Sequence, residues 1–180
     1  MITKKANQSQ KMQVPQVDFY FREGGEFVTR TTKDLLSGKR VVLFALPGAF
    51  TPTCTEQMLP GFEASYDEIK GYGVDEVYCL SMDNAFVLNA WFEKLGIEKV
   101  KALPDGNGAW TTAVKMAVSK ENVGLGICSW RYAVVLNDGN LEWSGAEDGM
   151  RNNASDDPYE ASTPEAVIAY LKAAKEQPEG

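Results

Sequence analysis

The sequence predicts an α/β domain with a central mixed sheet flanked by helices. Two runs of strand length, residues 41–46 and 74–81, are apolar on both faces, as strands buried between two layers must be. Helix-opening signals alternate with them, which is the α/β pattern. A third apolar run, 130–137, meets Asp138-Gly139, a tight-turn dipeptide that folds the chain back through 140–145 as a hairpin.

In chain order, residues 1–12 are polar, carry Lys4, Lys5 and Lys11, and lack the apolar middle section of a secretory signal. They are expected to form a mobile tail, with a single domain over 13–180 and a cytoplasmic setting. Residues 17–22 alternate like a strand and turn at Gly24-Gly25 into a second, 26–31. Pro47-Gly48 breaks the 41–46 strand. Thr51-Pro52 then opens a helix, with the threonine hydroxyl as N-cap and proline at the first helical position. This helix runs toward Lys70, with an interruption expected at Pro60-Gly61, and Gly71 and Gly73 stop it. Asp83 or Asn84 caps the next helix, whose Phe86, Leu88, Trp91, Phe92 and Leu95 supply its apolar positions. A short strand at 100–103, the turn Pro104-Asp105-Gly106 and a helix over 108–118 follow. After the hairpin comes a long polar loop, 147–162, in which Asp156-Asp157 reads as low-complexity. Thr163-Pro164 caps a last helix that runs to about Lys175.

Composition excludes several functions. The formal net charge of −7 argues against nucleic acid as a main partner, because phosphate binding needs clustered Lys and Arg. No apolar run approaches the roughly 20 residues of a membrane helix. Histidine is absent, which removes imidazole-based nucleophilic catalysis and histidine-ligated metal sites. The cysteines, 54, 79 and 128, include no Cys-x-x-Cys, so neither a redox dithiol of that type nor a zinc knuckle fits. Cys79 alternates with Val77 inside a strand and reads as core. Cys128 precedes Trp130 in a glycine-rich stretch, open to solvent and a candidate second thiol.

The chemistry concentrates in Pro47-Gly48-Ala49-Phe50-Thr51-Pro52-Thr53-Cys54. With Thr51 as N-cap, Cys54 lies in the first helical turn, among unpaired backbone N–H groups and at the positive end of the macrodipole. Both favour a thiolate over a thiol. The segment also follows the C-terminal end of a buried strand, where open α/β folds place their sites. A structural thiol at a helix start is the alternative reading of Cys54, as a plain cap is of Thr51, a strand terminator of Pro47 and a surface arginine of Arg131.

Pro-x-x-x-Thr-x-x-Cys, here Pro47, Thr51 and Cys54, resembles the active-site signature of peroxiredoxins. The longer strings PGAFTPTC, YCLSMDNAF at 78–86 and SWRYAVVLNDG at 129–139 are similar to the subgroup of the fifth mammalian peroxiredoxin and of bacterial members fused to glutaredoxin. The resemblance covers roughly residues 13–145 and implies a thioredoxin-like fold. It implies a peroxidatic Cys54 that becomes sulfenic acid, with Thr51, Pro47 and Arg131 as its catalytic companions. It implies a hydroperoxide substrate, an external thiol reductant in place of a bound cofactor, and a homodimer in which Phe50 and Trp91 contribute to the contact. Some members of the subgroup carry a resolving cysteine in the C-terminal third, and residues 132–180 contain none. A one-cysteine cycle is therefore expected, recycled by glutathione and glutaredoxin or by thioredoxin. A dithiol oxidoreductase of the same fold, or a redox-sensing or holdase protein with little turnover, are the competing functions. Gln57 in place of a second cysteine argues against the first.

Overall fold

The structure, a computed structural model, describes residues 12–177. Residues 1–11 of the expected tail lie outside these. Met12 is held rather than free: its carbonyl accepts the Leu141 N–H at 2.9 Å, and Gln13 bridges to Asn140.

The expected mixed sheet is present. Its five strands run in the order β5 (Lys101–Pro104), β4 (Glu76–Ser81), β3 (Arg40–Ala45), β8 (Tyr132–Asn137), β9 (Asn140–Ala146). β3, β4 and β5 are mutually parallel, and β8 and β9 add antiparallel partners. β3 is buried on both faces because a separate core covers each. Val42 and Phe44 point toward α2 (Leu59–Gly71), α3 (Ala85–Leu95) and α5 (Pro164–Glu176), where Phe44 stacks on Phe62 at 3.9 Å between centroids. Val41 and Leu43 point the other way, onto Phe19, Leu35 and Trp110. This alternation within one strand is the period-2 geometry of β structure. A hairpin of β1 (Asp18–Glu23) and β2 (Glu26–Thr31) precedes the sheet.

Two local expectations change, one element is added and one alternative is resolved. The short helix α1 (Thr32–Leu36) is an addition, although Thr31 and Asp34 form a complete capping box. The helix expected over 108–118 stops early: α4 spans Ala109–Ala113, and β6 (Ala117–Lys120) pairs with β7 (Gly126–Ser129). Val118 gains more by packing with Cys128 and Trp130 than a helix end would offer it. The helix after Pro52 is interrupted as a π-turn over Cys54–Met58, ahead of Pro60-Gly61 rather than at it, and the Leu59 N–H reaches the Cys54 carbonyl. Pro60 cannot donate to residue 56 and would press on its carbonyl, so the strain is absorbed in the preceding turn. Finally, Asn84 alone caps α3, accepting the Val87 N–H at 3.0 Å. No helix among the described residues is long and apolar enough to cross a membrane.

Candidate active site

The strand β3 ends at Ala45, and residues 47–51 carry the chain from the sheet edge into the helix. Asp83, just beyond β4, holds this loop by accepting the Ala49 N–H at 2.9 Å and the Ser81 hydroxyl. Phe50 sits at φ 64°, a left-handed backbone that bulky residues rarely adopt, and it turns the chain so that Pro52 opens the helix. Trp91 locks the next turn by donating from Nε1 to Thr55 Oγ1 at 3.1 Å.

Thr51 caps the helix with its carbonyl, which accepts the Thr55 N–H at 3.0 Å. Its hydroxyl does not play the expected capping part. It donates back to the Gly48 carbonyl at 2.7 Å, because the tight turn before it presents that oxygen. The hydroxyl proton is thereby engaged while the oxygen's lone pairs remain to accept.

Cys54 follows in the first turns, a free thiol with no exposed surface. Arg131, between β7 and β8 and only 2% exposed, brings Nη2 to 3.6 Å from Cys54 Sγ. The same Nη2 donates to Asp157 Oδ1 at 2.8 Å, and Nη1 reaches the Pro158 carbonyl at 3.5 Å. Tyr159 lies with its ring centroid 5.6 Å from the guanidinium carbon. Arg131 Nε is buried and has no acceptor among the described residues. Pro47, Thr51 and Arg131 line one pocket of about 280 Å³ with Lys120, Val123, Leu125 and residues 154–157. Of the four residues singled out from sequence, three come from the segment 47–54 and Arg131 joins them from 77 residues beyond Cys54.

The wall opposite the helix is the loop 147–162, which in sequence is merely polar. Glu147, 4% exposed, organises it: its carboxylate accepts the N–H groups of Glu160, Ala161 and Ser162 and the Ser162 hydroxyl. Its own N–H donates to the Arg131 carbonyl at 3.1 Å, and its carbonyl accepts Trp130 Nε1 at 2.8 Å. The loop is thereby fastened to the segment that carries Arg131. Loop length is the usable clue, since long structureless connections in compact domains are usually functional. No comparable signal in the sequence marks Asp157, Glu147 or Lys120 as part of the site.

A family model, Redoxin, matches residues 10–161. A peroxiredoxin of Sinorhizobium fredii is 48% identical over 171 residues, covering 90% of this chain and 91% of that one. The chain belongs to the peroxiredoxins. Solved peroxiredoxins share the architecture at comparable coverage. The Plasmodium falciparum antioxidant protein, described as a 1-Cys peroxiredoxin, aligns with a TM-score of 0.86 at 32% identity over 91% of this chain and 99% of its own. Reduced Prx3 of Vibrio vulnificus, solved in complex with H2O2, gives 0.84 at 32% over 94% and 99%. The fold is therefore the thioredoxin-like one of these peroxiredoxins, and the protein is a thiol peroxidase.

Within this peroxiredoxin, two further expectations need correction. Trp91 is wholly buried, so it packs the core instead of offering a surface, whereas Phe50 is half exposed. Cys128 is also buried, on β7 against Val118, Trp130 and Ala154, because β6 and β7 form a hairpin where an open loop was expected. Cys79 lies in the core as expected, and burial raises its thiol well above the ordinary value.

Proposed function

We propose that Cys54 is the peroxidatic cysteine, with Thr51, Arg131 and Pro47 as its catalytic companions, and that it works by a one-cysteine cycle recycled by glutathione and glutaredoxin. The observation that carries this reading is Arg131 Nη2 at 3.6 Å from Cys54 Sγ, with Arg131 also lining a pocket together with Thr51 and Pro47. A hydroperoxide in that pocket donates its O–H to the free lone pairs of Thr51 Oγ1. The thiolate attacks the nearer oxygen, a sulfur–oxygen bond forms, and the oxygen–oxygen bond breaks. The far oxygen leaves with the electron pair as hydroxide or alkoxide and takes up a proton. The Arg131 donors, including the unused Nε, stabilise the charge that develops there. Pro47 offers no N–H and forms an apolar wall.

The product is a sulfenic acid. Cys79 lies in β4 and Cys128 in β7, both unpaired and both packed in apolar clusters, and we read them as core thiols that take no part in the cycle. An external thiol therefore resolves the intermediate, and the 1-Cys designation of the Plasmodium relative supports the same order of events. Thioredoxin is the alternative reductant. The contact between copies in a homodimer is assigned to Phe50, which exposes half its surface beside the site.

One equivalent of peroxide with excess glutathione, followed by intact mass and peptide mapping, tests this. The expected product is a single glutathione adduct on the Cys54 peptide. An internal Cys54–Cys79 or Cys54–Cys128 disulfide with no adduct at any time would overturn the one-cysteine cycle.

A further inference from the structure

Lys120 is a buried cation that the peroxidase chemistry above does not use. It ends β6, is 5% exposed, and lines the same pocket as Thr51 and Arg131. Its aliphatic stem is covered, and its ammonium lies 5.6 Å from the Trp130 ring centroid. Its ion-pair partner, Asp157 Oδ1, is 4.0 Å away, too far for a hydrogen bond, and that oxygen already accepts from Arg131 at 2.8 Å. Asp156, the other carboxylate on the lining, is paired with Arg151 at 2.8 Å. Burying a lysine costs free energy unless an anion meets it. Here a single carboxylate is shared between two buried cations.

The charge of the pocket then changes during the cycle. Arg131 touches both Cys54 and Asp157, and Lys120 lies 4.0 Å from Asp157, so while Cys54 is a thiolate this linked set holds two anions and two cations, and a neutral hydroperoxide enters a balanced site. Once Cys54 is a sulfenic acid it carries no charge, and one cation is left in excess. We propose that Lys120 binds the incoming thiolate at this stage, so that the oxidised site selects an anionic small thiol. This rests on the reading of Cys54 as the peroxidatic cysteine, but not on glutathione being the reductant. In the step itself the thiolate sulfur attacks Cys54 Sγ, a sulfur–sulfur bond forms, and the sulfur–oxygen bond breaks. Hydroxide leaves with the electron pair and takes the proton that the thiol released, giving water. Arg131 stays with Asp157, and Lys120 holds the attacking anion.

The test uses the full chain, oxidised with one equivalent of hydrogen peroxide, and follows sulfenic acid reduction by stopped-flow tryptophan fluorescence. Two probes are compared: 2-mercaptoethanol, whose thiolate is an anion, and cysteamine, whose thiolate is balanced by its own ammonium. The quantity read is the ratio of their rate constants per thiolate, which cancels intrinsic nucleophilicity when variants are compared. Lys120→Met is expected to lower this ratio about fivefold, and Lys120→Arg to restore it. Asp157→Asn, which removes the neutralising carboxylate, is expected to raise the ratio, a shift of opposite sign that no loss of packing would produce. A ratio unmoved in the folded Met variant, or unmoved or lowered in Asp157→Asn, overturns the assignment. A ratio that moves as expected alongside a failed glutathione adduct would sink the choice of glutathione and leave Lys120 standing. Failure of peroxide to oxidise Cys54 at all would sink the peroxidatic reading itself.

Discussion

Cys54 and Cys79 have the same exposure, none, and opposite surroundings. Cys79 sits in the middle of β4, paired across the sheet with Phe44 and Ala102, inside the main apolar core. Burial there penalises the charged form, and the neighbouring negative charges add to the penalty, so the thiol is pushed well up. Cys54 belongs to the same core, but Arg131 Nη2 stands 3.6 Å from its sulfur and a π-turn begins at it. Equal burial therefore leaves the two sulfurs with different neighbours. What distinguishes the two is the buried guanidinium beside one sulfur and not the other.

The comparison breaks most sharply by substitution at the two sulfurs. Cys54→Ser is expected to reduce peroxide consumption to the uncatalysed background, while Cys79→Ser keeps turnover. A steady-state assay with excess thiol reads both, and full activity in Cys54→Ser would end the assignment.

Next is the cation. Arg131→Lys keeps the charge but loses the fork that reaches sulfur, Asp157 and the Pro158 carbonyl together. The expected cost is about 2–4 kcal/mol in kcat/KM for the peroxide, the range for removing one transition-state donor. A single-turnover oxidation rate equal to that of the unaltered protein would show that the fork does not matter.

A smaller effect is expected from loosening the wall that holds the cation. Gly145 lies under the 147–162 loop, and a Cβ there would collide with the Ala161 carbonyl oxygen and the Trp143 ring. Gly145→Ala should therefore lower stability by about 1–3 kcal/mol, the usual cost of overpacking, and reduce the oxidation rate through Arg131. Denaturant unfolding measures the first and stopped-flow the second. An activity loss without a stability loss would mean that the loop does not act by packing.

The smallest effect lies in pH dependence. Cys79 binds its proton more tightly folded than unfolded, so its contribution is fully present below the unfolded value and is lost as pH rises above it. Stability should fall from about pH 9, the ordinary thiol value of 9.0, at up to roughly 1.4 kcal/mol per pH unit. Cys79→Ala should make this alkaline decline shallower. Parallel curves for the two proteins would show that Cys79 is not the source.

Much of the fold and the nearer half of the site are legible in the amino-acid sequence. Residues 41–46, apolar throughout and broken by Pro47-Gly48, read as a strand covered on both faces, and β3 (Arg40–Ala45) is one. Asn84 and Gly96 bracket α3 because a side-chain carbonyl and a left-handed glycine are the physical terminators of a helix. Thr51, Cys54 and Pro47 lie within one short segment whose strand end and helix start are local events, so a linear reading reaches them.

The motif at 129–139 points to Arg131, but the chain's own order could not supply its placement beside Cys54 or its partners in the distant half of the site. Arg131 and Cys54 are 77 residues apart, and only the antiparallel pairing of β8 with β3 brings them together. Asp157 in an acidic loop looks like a solvated charge until Glu147 gathers the N–H groups of residues 160–162 and turns that loop over the guanidinium. Lys120 and Cys128 escape a linear reading because residues 117–129 carry no strong local preference and become a hairpin through packing against Trp130. Propensity and capping act within a few residues and are written in sequence order. Ion pairs between buried groups form where the sheet topology sets them, and sequence order does not reveal that.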